Sequence, residues 1–96
     1  MSKDTVVIGA SPSEEKYGYK ATVSLKRHGH KVYPIGIKAG VIEDLNIITD
    51  RPDIQNVDTV TLYVGPQNQD GWKEYIFRLN TKRFGFKLKI YSFQPS

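Results

Sequence analysis

The sequence predicts a small α/β domain built on a mostly parallel sheet, and three observations carry that expectation. The run Thr5-Val6-Val7-Ile8 is β-branched throughout and suits a strand buried on both faces. It leads into Gly9-Ala10-Ser11-Pro12-Ser13, small residues followed by a helical pattern, which is the order strand, tight turn, helix. A second run rich in β-branched and aromatic residues, Asp58 to Val64, meets Gly65-Pro66 and another helical pattern, so the same order recurs.

At the first turn, Gly9 and Ala10 let the backbone bend sharply and let a ligand approach. Ser11 and Ser13 are suited to cap the next helix, with Glu14 and Glu15 in its first turn, and the free amides there make an anion site. From Glu14 to His28, Tyr17, Ala21 and Leu25, with Val23 to one side, recur at helical spacing, and Gly29 reads as the C-cap. Lys31 to Ile35 is the second strand, closed by Gly36, which completes one right-handed βαβ unit. Lys38 to Pro52 predicts a loop, one very short strand and a turn at Asp50-Arg51-Pro52. Gln67 to Leu79 carries Trp72, Tyr75, Ile76 and Leu79 as a single apolar stripe, the mark of a helix packed on the sheet. Lys82 to Phe86 reads as a further strand.

The 96 residues fit a single domain spanning 1–96 with a modest core. There is no cysteine and no apolar run that would cross a bilayer, and the start Met1-Ser2-Lys3-Asp4 lacks the apolar h-region of a signal peptide, which together point to a cytoplasmic setting without a membrane partner. The net charge of +4 comes from basic residues scattered along the chain. That suits a small phosphorylated ligand better than a nucleic acid.

The three-glycine dinucleotide fingerprint is absent: after Gly9 the next glycine is Gly18, and the second strand ends in Tyr33-Pro34 without a carboxylate. NAD is thereby disfavoured. Lys38, between Gly36 and Gly40, offers an ammonium group near the first turn. In a parallel sheet the loops Gly9–Ser13, Pro34–Gly40 and Gly65–Asn68 gather at the strands' carboxyl ends, where ligands bind. His28 and His30 fall at the opposite end with neither a cysteine nor a placed carboxylate, and read as helix-end histidines serving backbone carbonyls. No catalytic or metal-binding constellation is predicted.

Val7-Ile8-Gly9-Ala10-Ser11-Pro12 with Tyr17 and Tyr19-Lys20-Ala21, then Gly29 to Ile35 and Val57 to Val64, resembles the small bacterial CoA-binding domain proteins, relatives of the CoA-binding domain of succinyl-CoA synthetase. The resemblance covers about residues 5–83. It implies a Rossmann-like three-layer fold with coenzyme A or an acyl-CoA along the carboxyl edge. Gly9, Ala10, Ser11 and Pro12 would meet the phosphates, with Tyr17 nearby. Pro34, Ile35, Lys38 and Gly40 would lie beside the nucleotide, and Val64, Gly65, Pro66 and Asn68 would close the other side. Gly65 stands where the family often has Asn. Residues 84–96 form a divergent tail in place of the family's last βα unit, so that unit reads as truncated or replaced. The tail alternates lysine with apolar residues, which places Phe86, Leu88 and Ile90 toward the core and makes a homodimer through it the expected assembly. Binding without a reaction of its own is the reading adopted. An NADP-dependent or other nucleotide-cofactor enzyme, or an interaction module that has lost its ligand, are the alternatives.

Overall fold

The computed structural model describes residues 4–55, 57–64, 66–81 and 89–92. In chain order the elements are β1 (Asp4–Ile8), α1 (Tyr17–Arg27), β2 (Lys31–Ile35), β3 (Val41–Ile42), β4 (Leu45–Asn46), β5 (Thr59–Leu62), α2 (Pro66–Thr81) and β6 (Lys89–Ser92). Four strands form one sheet in the order β2-β1-β5-β6, every neighbouring pair parallel, while β3 and β4 make a separate antiparallel hairpin. This is the parallel α/β architecture that the two strand-turn-helix units predict.

β1 lies between β2 and β5, which is why its apolar run has no polar alternation. Val6 and Ile8 pack with Val60, Leu62, Tyr75, Ile76 and Leu79 on the face that carries α2. Val7 faces the other way, with Val32, Ile42 and Ile47 and with Val23 and Leu25 of α1. Each such side chain contributes about 1.5–3 kcal/mol when fully buried. The surface ion pairs that join Lys26 and Arg27 of α1 to Glu43 and Asp44 of the hairpin are solvent-screened and contribute little beside this packing. Packing on the two faces therefore holds the sheet, and the ion pairs orient the hairpin.

Between Lys38 and Pro52 there are two short strands rather than one. The hairpin turns at Glu43, with φ 56°, and Ile42 and Ile47 are buried against the α1 face. Ile48 then bridges to Ile35, donating its N–H to the Pro34 carbonyl at 2.8 Å while Gly36 donates to Ile48 at 3.0 Å. The Pro34 carbonyl thus points to the outer edge of β2, and the N–H that proline lacks would point the same way, so no bond to β1 is lost. The segment 50–53 is fastened to α2: the Tyr75 hydroxyl donates to the Pro52 carbonyl at 2.6 Å, Arg51 stacks 4.3 Å from the Trp72 ring centre, and Arg78 pairs with Asp53 at 3.3 Å.

The strand expected at 82–86 lies outside the described residues, as do Phe86 and Leu88. The tail does supply a strand, β6, which extends the sheet by pairing Val60 with Ile90 and Thr61 with Tyr91. Ile90 does not point into a closed core as the alternation predicts: it is 51% exposed, and among the described residues β6 is the outer strand of the sheet.

Candidate functional site

The turn after β1 is built by backbone approach rather than by side chains. Gly9 has φ 98°, a conformation that L side chains rarely adopt, and a Cβ there would sit 2.7 Å from the Tyr63 carbonyl oxygen at the end of β5. A Cβ on Gly36 would overlap the carbonyl oxygen of Ala10, and one on Gly40 would lie 2.7 Å from Pro12 Cβ. The β1 turn, the loop after β2 and the end of β5 therefore meet at one edge of the sheet, as the parallel topology requires. Gly9, Ala10, Pro12 and Gly40 are brought together there. Ile35 serves them through its backbone: its carbonyl accepts the N–H groups of both Gly9 and Ala10, at 2.8 and 3.0 Å. Those two amides, on residues that the resemblance sets against the phosphates, are thus committed to β2. The side chains of Pro34 and Ile35 are buried in the sheet.

The approach to α1 differs from the sequence reading. The helix begins at Tyr17, its N-cap is Lys16 in extended conformation, and no side chain caps it. Ser11 and Ser13 act within the preceding turn instead: the Ser13 amide donates to Ser11 Oγ at 3.2 Å, and Ser13 Oγ donates to Glu15 Oε1 at 3.2 Å. Glu14 and Glu15 consequently precede the helix. The reason lies at Gly18, where a Cβ would overlap the Gly9 carbonyl oxygen and sit 3.0 Å from Ala10 Cα. The first turn of α1 rests directly on the β1 turn, and that contact sets the start of the helix. Its first-turn amides have no partner inside the helix and carry the positive end of its dipole. Ser11 Oγ accepts a bond and so retains its own proton for donation.

Tyr17 is half-exposed, with the Lys20 ammonium 5.6 Å from its ring centre. Ile37, Lys38 and Ala39 are exposed at the crest of the loop whose base is Gly36 and Gly40. Val64 packs against the α2-side core. Gly65 lies outside the described residues, and Pro66 and Asn68 are described only as backbone in the first turn of α2. Gly18 carries no signal of its own in the sequence, although it is a small residue where one element must cross another.

At the other end of the molecule, His28 Nδ1 donates to the Ser24 carbonyl at 2.7 Å, as a helix-end histidine should, whereas the buried His30 Nδ1 has no partner among the described residues. A cavity of about 370 Å³ lies between α1 and the sheet, lined by His30, Thr5, Thr59, Thr61, Tyr63 and Tyr91 among others. Burial raises the Tyr63 hydroxyl above its ordinary pKa. This cavity is on the α1 face of the sheet and runs along it from Thr5 and Thr59 to Tyr63 at the end of β5.

A sequence model of the CoA binding domain family matches residues 3–94. Among solved structures, an uncharacterised protein is 34% identical and aligns over 98% of this chain and 91% of its own, with a TM-score of 0.81. A conserved hypothetical protein from Pyrococcus furiosus is 24% identical over 95% of this chain and 74% of its own, with a TM-score of 0.77. A hypothetical protein from Pyrococcus horikoshii is 20% identical over 97% and 78%, with a TM-score of 0.70. The last two show a shared fold. None of the curated proteins compared with the chain matches it.

Proposed function

The chain belongs to the CoA binding domain family, and from that premise we propose that it binds coenzyme A or an acyl-CoA along the carboxyl edge of the sheet, without a reaction of its own. The observation that carries this reading is the backbone cradle where Gly9, Gly18, Gly36 and Gly40 bring three loops and the first turn of α1 into contact. A pyrophosphate needs close backbone, free donors and positive potential. With Gly9 and Ala10 already bonded to Ile35, the donors are the first-turn amides of α1 and the Ser11 hydroxyl. Glu14 and Glu15 oppose an anion at this edge, and Lys16, Lys20 and Lys38 oppose them in turn. Lys38, exposed on the crest of its loop, is assigned to the 3′-phosphate. Tyr17 and Val64 flank the groove.

Calorimetric titration with CoA, dephospho-CoA, ADP and NADP tests the assignment. CoA should bind most tightly, dephospho-CoA more weakly, and ADP more weakly still. Tighter binding of NADP than of CoA would transfer the site to a nicotinamide cofactor, and no heat with any of the four would remove the ligand reading.

A further inference from the structure

We propose that a second copy of this chain pairs with β6, antiparallel across a two-fold axis, in a register centred on Ile90. Among the described residues β6 is the outer strand of the sheet, so one row of its amide and carbonyl groups faces away from β5. Lys89, Ile90 and Tyr91 are all exposed, the last two by 51% and 50%. An open strand edge of this kind is a template for another strand.

The pairing with β5 fixes the faces. Ile90 sits beside Val60, on the α2 side, while Lys89 and Tyr91 sit beside Thr59 and Thr61, on the α1 side. A two-fold axis normal to the sheet keeps both copies the same face up, and directly opposed residues must then come from the same face. Centring on Ile90 sets Ile90 against Ile90 of the second copy, and Lys89 against Tyr91 of the second copy, twice. The apolar side chains meet on one face, and an ammonium group meets an aromatic ring on the other. Centring on Lys89 would oppose two ammonium groups, and centring on Tyr91 would set Ile90 against Ser92. An edge lysine ordinarily discourages pairing. In this register its charge is placed against the ring instead. The two-fold makes every favourable pair reciprocal, which favours a second copy over an unrelated strand. Tyr91 also lines the cavity between α1 and the sheet, so Lys89 of the second copy would border that cavity's open side.

An edge this short belongs with weak, reversible interfaces. Sedimentation equilibrium of the full chain without ligand should give a weight-average mass that rises with concentration from 10.9 kDa toward twice that value. Ile90→Lys, at an exposed position, should keep the circular dichroism of the native chain while weakening association about tenfold or more, since like charges now oppose each other. Ile90→Glu should do the same alone, and an equimolar mixture of the two variants should associate again. A mass of 10.9 kDa at every concentration, undiminished association of Ile90→Lys, or failure of the mixture to recover would each overturn the proposal. None of these outcomes depends on whether the chain binds CoA.

Discussion

Replacing Gly18 with alanine should destabilise the protein, against the usual direction for a glycine in a helix. Helix propensity alone favours alanine by up to about 1 kcal/mol, the value for a helix interior. Here the new Cβ would overlap the Gly9 carbonyl oxygen and lie 2.9 Å from its carbonyl carbon and 3.0 Å from Ala10 Cα. Ordinary carbon contacts fall at about 3.5–4.0 Å, so α1 must retreat by roughly 0.5–1 Å. Every atom it meets is backbone, and no side-chain rotation relieves the overlap. Overpacking of this kind costs about 1–3 kcal/mol, and since nothing in the contact is soft the upper half of that range applies. The net loss is about 1–2 kcal/mol, a fall in Tm of about 5–15 °C for a domain of this size. Gly71 is the internal control: it lies inside α2, an added Cβ meets nothing within 4 Å among the described residues, and Gly71→Ala should raise Tm by a few degrees. Calorimetric melts of the two variants beside the parent decide the matter. If Gly18→Ala raises Tm as Gly71→Ala does, the first turn of α1 does not rest on the β1 turn, and the cradle argument fails with it.

Tyr75→Phe removes the hydroxyl bonded to the Pro52 carbonyl and should cost about 0.5–1.5 kcal/mol, read from denaturant midpoints. Burial, reinforced by Asp53, holds the Tyr75 hydroxyl up at about 12 against an ordinary value of 10.0. The folded state therefore keeps a proton that the unfolded state releases, and this contribution is complete below pH 10 and lost as pH rises toward 12; Tyr75→Phe should flatten that part of the stability profile. Lys38→Ala should weaken CoA about two- to fivefold and leave dephospho-CoA nearly unchanged in calorimetry; equal losses would place the lysine away from the 3′-phosphate. Ser11→Glu sets a carboxylate at the edge where the pyrophosphate is assigned and should abolish CoA binding with unchanged circular dichroism, so an unaltered affinity would refute that assignment.

What was legible in the sequence followed from patterns with one structural solution. The β-branched run at Thr5 to Ile8 has no polar face and belongs at the centre of a parallel sheet, and the stripe through Tyr75, Ile76 and Leu79 is buried as its spacing requires. Convergence of the loops at one edge followed from parallel topology alone. The start of α1 was hidden because Ser11, Ser13 and Glu14 are good local capping residues, whereas the boundary is set by Gly18 meeting Gly9, a contact between residues nine apart. The hairpin at β3 and β4 was missed because each strand has only two residues, too few to show a period. The alternation from Lys82 through Tyr91 reads equally well in several frames, and only pairing with β5 picks out Lys89 to Ser92. The committed amides of Gly9 and Ala10 had no local signature, since their acceptor lies on another strand.

That single oxygen of Ile35, shared by two amides, means that the turn takes its shape from the sheet and needs no ligand to be ordered. A guest entering it would not have to organise a loop, and the ordering cost that often consumes part of an interaction's energy is already met when the chain folds. Recognition should then be closer to docking than to capture: association without a slow rearrangement phase, and little change in amide protection at Gly9 and Ala10 between the free and loaded states.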